Sequence, residues 1–135
     1  NDNAVVKTVY DPCPAGFKMP ASNAFTGFTS NGQTQSSANI NVDGTADSGE
    51  NFSAAYGHNF WTNSSKSATI FFPASGYRSY GNGSLHYVGS TSKYWTAGVP
   101  SYRVNACCME FTWSSVYPVF TNIRPFGYAA RPVSE

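Results

Sequence analysis

Residues 94–133 read YWTAGVPSYRVNACCMEFTWSSVYPVFTNIRPFGYAARPV, and the reading of this stretch decides the fold. Two kinds of residue are interleaved in it. Tyr94, Trp95, Ala106, Met109, Phe111, Gly127, Tyr128, Arg131, Pro132 and Val133 look structural. Val99, Tyr102, Arg103, Asn105, Cys107, Ser115, Val116, Tyr117, Phe120, Asn122, Ile123 and Phe126 follow no periodic rule and mix aromatic, aliphatic and small polar types. A strand points successive side chains to opposite faces, so inward positions can fix the backbone while outward ones vary. Aromatics outside a core make contact points of low conformational cost. The stretch therefore reads as a display surface for binding another macromolecule, held rigid by the rest of the chain.

Composition bounds the alternatives. At 135 residues the chain fits one domain over 1–135 with a proper core. A net charge of +1 with 11% charged residues argues against a nucleic-acid partner, which needs a basic face. No apolar run approaches the ~18 residues of a membrane helix. Aromatics at 16% exceed what a small core needs and suit an interface. Three cysteines cannot all pair within the chain, so disulfides are not expected to stabilise it.

Outward from the C-terminal third, Ser67–Pro73 is the strongest strand pattern, ended by a proline. Leu85–Gly89, Lys93–Ala97, Ala106–Trp113 and Gly127–Val133 read as further strands, with a turn at Gly81–Ser84. Phe52, Tyr56, Phe60 and Trp61 are expected to anchor the core. Lys7–Tyr10 has strand-forming residues before the Asp11-Pro12 turn, and residues 1–9 can equally be the exit from a preceding domain. Ala24, Phe25 and Phe28 carry the spacing of one short helix or a turn. Residues 29–50 form a long polar loop. Tyr117 and Phe120 flank Pro118 in what reads as loop, hence exposed. These elements give a β-rich α+β domain with long irregular connections.

Four segments together resemble a known family: VYDPCPAGFKMP (9–20), FFPASGYRSYGNGSLHYVGS (71–90), SKYWTAG (92–98) and FGYAARPV (126–133). In order and spacing they are similar to the Fibrobacter succinogenes major paralogous domain, abundant in Bacteroidetes surface proteins and frequent at the ends of fimbrillin-like adhesins. The resemblance implies a C-type-lectin-like fold, with one or two short helices on twisted antiparallel strands. It also implies an extracellular, cell-surface location and a protein or glycan partner on another cell or host surface. A narrower resemblance joins the YW motif and the closing GYAARPV to the variable proteins of diversity-generating retroelements. There, adenine-directed mutagenesis of Asn codons yields residues such as Tyr, Phe, Ser, Cys, Val, Ile, Thr, Arg and Pro, but not Lys, Gln, Glu, Met or Trp. Between Thr96 and Tyr128 the chain has no Lys and no Gln, while Met109, Glu110 and Trp113 would be fixed or come from other codons. Many members of the first family carry a cysteine near the C-terminal arginine. Here Ala130-Arg131-Pro132 stands in its place, so Cys13 has no such mate and packing must close the fold.

The ligand-binding candidates are Tyr102, Arg103, Asn105, Cys107, Trp113, Ser115, Tyr117, Phe120, Asn122, Ile123 and Phe126. No catalytic residue and no metal site is expected. Adjacent Cys107 and Cys108 should point to opposite faces, one buried and one exposed, and adjacency is a poor zinc spacing. Asn39, Asn41, Asp43, Gly44 and Glu50 fall at calcium-loop positions, but an Asn opens the loop and no flanking amphipathic helices appear, so calcium is not expected. His58 and His86 read as satisfied surface or half-buried residues. Arg131 reads as a structural arginine stacked on a ring or bonded to carbonyls. The runner-up function is a non-diversified structural or adhesive pilin module. A third, a carbohydrate-active or thiol enzyme, ranks below both.

Overall fold

The structure is a computed structural model that describes residues 5–36, 39–43, 52 and 55–135. Among the described residues, eleven short to medium strands fit an all-β fold. They are β1 (Phe17–Lys18), β2 (Gln35–Ser36), β3 (Gly57–Trp61), β4 (Thr69–Pro73), β5 (Tyr77–Arg78), β6 (Leu85–His86), β7 (Thr91–Trp95), β8 (Asn105–Thr112), β9 (Ser115–Ile123), β10 (Ala129–Ala130) and β11 (Val133–Ser134). A five-stranded sheet runs in the order β10-β7-β8-β9-β2, with β10 parallel to β7 and the other pairs antiparallel. Three two-stranded ribbons, β1-β11, β3-β4 and β5-β6, surround it.

The expected α+β, C-type-lectin-like class is corrected by this inventory. Strand accounts for 40% and helical backbone for 5%. The Ala24–Phe28 spacing yields only a 3-10 turn, Thr26–Phe28. No side chain caps its start, and Thr29 is already extended at ψ 156° and bridged to Ile40. One turn suffices to bring Phe25 and Phe28 into the core, so nothing rewards a longer helix.

The core is aromatic. Phe28 stacks on Phe60 at 4.0 Å, and Phe72 meets Phe25, Phe28 and Phe60 edge-on. From the large sheet come Tyr94, Met109, Phe111 and Val116, on the inner faces of β7, β8 and β9. Of the expected anchors, Phe52 and Phe60 are buried, Trp61 is half-buried, and Tyr56 is exposed. Arg131 meets both expectations: its guanidinium lies 4.5 Å from the Phe72 ring centroid, and Nη1 donates to the Phe71 carbonyl at 2.8 Å. Val116, read as an outward position, is fully buried opposite Phe111.

His58 corrects another expectation. It is buried among Phe52, Phe60 and Phe111, and its Nε2 lies 2.9 Å from the Thr112 carbonyl, a distance suited to donation from that nitrogen. Desolvation holds its pKa below the ordinary 6.5, outweighing the Thr112 bond, which favours the charged form. The unfolded chain therefore takes up a proton near pH 6.5 that the folded one refuses. Stability is full above that pH and falls as the pH drops towards the folded-state value, by up to about 1.4 kcal/mol per unit. Melting curves between pH 7.5 and 5.5 should show this slope, reduced in His58→Gln; equal slopes in both proteins would contradict it.

The two ends meet without a disulfide, and none of the three cysteines forms one. Phe17 pairs with Ser134 and Lys18 with Val133, and the Glu135 N–H donates to the Gly16 carbonyl at 3.1 Å. The DPCPAGF loop is gripped from both sides. The Asp11 carboxylate accepts from the Cys13 N–H at 2.8 Å and the Met19 N–H at 2.9 Å. Those two backbone bonds hold its pKa below the usual carboxylate value. The Lys7 ammonium donates to the carbonyls of Cys13, Pro14 and Phe17 and lies 3.8 Å from the Glu135 carboxylate. Lys7–Tyr10 is accordingly not a strand: the Asp11 N–H folds back to the Thr8 carbonyl, and Val9 and Tyr10 stay exposed.

Candidate functional site

The large sheet has one face against the core and an outer face. Register assigns Lys93 and Trp95 of β7, and Ala106, Cys108 and Glu110 of β8, to the outer face, since Tyr94, Met109 and Phe111 point inward. On β9, Glu110 opposes Tyr117 but Cys108 opposes Phe120. Two steps on β8 thus match three on β9, a bulge at Pro118 and Val119. The bulge shifts the alternation by one. Tyr117 and Phe120, an odd number of residues apart, both face outward, with ring centroids 5.7 Å apart, and Asn122 follows them. Proline is tolerated there because a bulge interrupts the ladder anyway. The same residue made the segment read as loop, yet β9 spans nine residues.

Beside this strand lies a chain of rings. Trp95 stacks on Tyr128 at 4.3 Å and Phe126 on Tyr128 at 5.4 Å, while Tyr77 and Tyr80 meet Phe126 edge-on. The β5-β6 ribbon brings Tyr77, and Gly76 sets its position. Gly76 has φ +68°, and a Cβ there would lie 2.2 Å from the His86 carbonyl oxygen, so a side chain cannot fit. Burial, then Cys108 and Glu110, push the Tyr128 phenol far above its ordinary value. Its hydroxyl has no well-formed hydrogen bond among the described residues; Asn122 is the polar side chain beside it.

At the centre Lys93 and Glu110 sit directly opposite each other, Nζ to Oε2 2.9 Å, with side-chain exposures of 11% and 18%. The Lys93 ammonium also lies 4.9 Å from the Tyr77 ring centroid, 5.4 Å from that of Tyr128 and 5.9 Å from that of Phe120. Sequence reading did not single out Tyr77, Tyr128, Lys93 or Glu110 for binding. The available signal was two opposite charges inside otherwise apolar strand patterns, in a chain with few charges.

The structure groups some candidates and separates others. Tyr117, Phe120 and Asn122 share the outer face, half-buried rather than fully exposed, and Phe126 adjoins them through Tyr128. Tyr102, 75% exposed, and Arg103 stand on the β7–β8 loop, where the Arg124 N–H donates to the Val104 carbonyl at 3.2 Å. Asn105 and Ile123 pair at that end, on the inner-face side. Trp113 and Ser115 lie at the opposite end of β8, about 25 Å away at ~3.3 Å per residue, with Trp113 45% exposed in the hairpin turn.

Cys107 does not join the face. It is buried on the inner side, so both cysteines are buried, against the expectation of one exposed. The second face of β8 is covered at this point: a Cβ on Gly98 would lie 2.5 Å from Ser22 Cβ and 3.0 Å from Cys107 Sγ. Burial, reinforced by Glu110, pushes the Cys108 thiol up to about 12, which makes it a poor nucleophile.

Of the calcium-loop residues, Gly44 and Glu50 lie outside the described residues. The Asn41 amide donates to the Gly27 carbonyl at 2.9 Å. Among the described residues no group of three or more His, Cys, Asp or Glu is placed to hold a metal, and no helix is long and apolar enough to cross a membrane. A groove of about 780 Å³ opens beside Phe28, Ile40, Trp61 and Ile70, and none of the ligand-binding candidates lines it. No curated protein and no solved structure matches the chain. A family model described as a domain of unknown function, DUF8237, matches residues 44–133, the span that builds the ring-lined outer face, and the chain belongs to that family.

Proposed function

We propose that the chain is a ligand-binding display domain of a bacterial surface or pilus-tip adhesin, with a C-terminal face diversified by a retroelement. One observation carries the reading: the bulge in β9 collects Tyr117, Phe120 and Asn122 on the outer face, while Met109, Phe111 and Val116 of the same strand pair fill the core. Shape is fixed from inside and contact chemistry is offered outside. Tyr102 and Arg103 extend the offer at one end. The mechanism is aromatic and shape complementarity on a rigid sheet, with no covalent step, towards a protein or glycan on another cell or host surface. Rigidity favours affinity because little ordering is lost on binding.

The double variant Tyr117→Ala/Phe120→Ala is expected to lose partner capture at least ten-fold, at a stability cost of about 1–2 kcal/mol since both rings are half-buried. Pull-down from surface extracts beside a melting curve checks this. Full capture by the variant would end the proposal. The buried Cys107 and Val116, and Trp113 at the far end, leave fewer outward positions than the sequence pattern suggests. That favours, as the second reading, a non-diversified adhesive module. Sibling sequences separate the two: changes confined to outward positions within 99–126 support diversification, and scattered changes support the plain module.

A further inference from the structure

The groove beside the β3-β4 ribbon encloses about 780 Å³. Its walls come from the 3-10 turn with Asn39–Asn41, from the ribbon itself, and from Arg131–Val133. None of the ligand-binding candidates lines it, so its use is independent of the function proposed for the outer face. The volume falls within the roughly 300–1,000 Å³ of small-molecule sites.

The lining reaches the core. Phe28, Ile40 and Phe72 belong to the buried cluster, and Ile70 packs against it. A gap that opens a core to solvent leaves apolar surface uncovered, and such surface marks binding grooves. Phe28 gives one ring face to Phe60 at 4.0 Å, and Phe72 gives one to the Arg131 guanidinium, 4.5 Å from the ring centroid. Both rings are buried, so the groove meets ring edges and aliphatic branches rather than open faces. That lining suits an aliphatic chain better than a flat ring, which gains most by stacking.

The polar groups at the rim are largely spent. The Asn41 amide donates to the Gly27 carbonyl at 2.9 Å, and the Thr62 hydroxyl to the Ala68 carbonyl at 3.1 Å. Asn63 donates to the Ser67 hydroxyl at 2.9 Å and accepts from the Ser67 N–H at 3.0 Å. A sugar or nucleoside needs several free partners at once and would leave its own polar groups unmet here. What remains is charge of one sign. Lys66 and Arg131 are the charged residues that line the groove, and among the described residues neither pairs with a carboxylate. Arg131 is held in place by Phe72 and by the bond from Nη1 to the Phe71 carbonyl at 2.8 Å, which leaves other N–H groups of its fork to match the two oxygens of a carboxylate. We propose that this groove binds a single-chain amphipath with a carboxylate head: the chain lies against Phe28, Ile40, Ile70 and Phe72, and the head meets the Arg131 guanidinium. Lys66 adds to the positive field at the rim and disfavours cationic ligands.

The test is a titration of the full chain with sodium decanoate, below micelle-forming concentrations, followed through the amide and arginine side-chain signals in NMR. Shifts should saturate with Kd below about 1 mM and concentrate on Gly27, Ile40, Ile70 and the Arg131 side chain. Acetate, the head without the chain, and decyltrimethylammonium, the chain with the opposite charge, should each bind at least about ten-fold more weakly. Gly27→Trp sets a ring at the groove's lip. Gly27 is exposed, its φ is not left-handed, and a Cβ there meets nothing within 4 Å, so Tm should not fall. Decanoate affinity in that variant should drop at least about ten-fold. Absence of saturable shifts with decanoate, equal binding of decyltrimethylammonium, or full affinity in Gly27→Trp overturns the proposal.

Discussion

Replacing Lys93 by methionine is expected to lower the unfolding free energy by about 2–3 kcal/mol, below the ~3–5 kcal/mol of a fully buried pair because both partners keep some exposure. For a domain of this size that is roughly a 10 °C fall in Tm. The substitution keeps the aliphatic stem but leaves the Glu110 carboxylate facing Tyr128 and Cys108 with its cation gone. It also removes a cation held near three rings. The double variant Lys93→Met/Glu110→Leu should recover to within about 1 kcal/mol of the parent, since an apolar pair in the same place has no charge to desolvate. Paired melting curves decide it. A single variant that melts with the parent would show the ion pair to be solvated, and the outer face more open than its geometry indicates.

Deleting Pro118 and Val119 together is expected to have the second large effect. Val119 alone is the extra step of the bulge, and its loss would leave Phe120 opposite Cys108 on the outer face; without Pro118 as well, Phe120 follows Tyr117 directly and alternation turns it inward. Phe120 and Asn122 would turn to the inner side and Thr121 and Ile123 to the outer one, as in any one-residue slip. Phe120 would leave the Lys93 ammonium, and the Asn122 amide would enter a side where an unmet polar group costs about 1–3 kcal/mol. The expected outcome is a fall in Tm of at least about 10 °C together with loss of partner capture. Substituting Val119 by Thr keeps the count and should leave both within error. A deletion variant that melts and binds like the parent would mean that the strand phase does not set the face.

Several elements were legible because their signal is local. Thr69–Pro73 is a run of β-formers ended by proline, and Asn105–Thr112 contains the buried Met109 and Phe111 at alternate positions. The aromatic core and the role of Arg131 followed from residue type alone. What stayed hidden depends on pairing. Pro118 argues for a loop until a bulge excuses it. Lys93 and Glu110 are 17 positions apart in sequence and become partners only through the β7–β8 register. The parallel pairing of Ala129 and Ala130 with β7 has no signature in a two-residue strand. The α+β expectation failed because a single aromatic turn has the same spacing as a helix start. Cys107 failed because alternation assigns a face but not what covers it, and Gly98 and Ser22 come from distant segments.

The antiparallel pairing of Phe17–Lys18 with Val133–Ser134 has a mechanical consequence. Both tails leave the ribbon from the same edge, so tension applied through them opens its bonds in succession instead of shearing them together. A tug on the chain would peel this small zipper, with the Lys7 grip beside it, before strain reached β7, β8 or β9. The domain would yield at its seam first and keep its outer face intact under stretch.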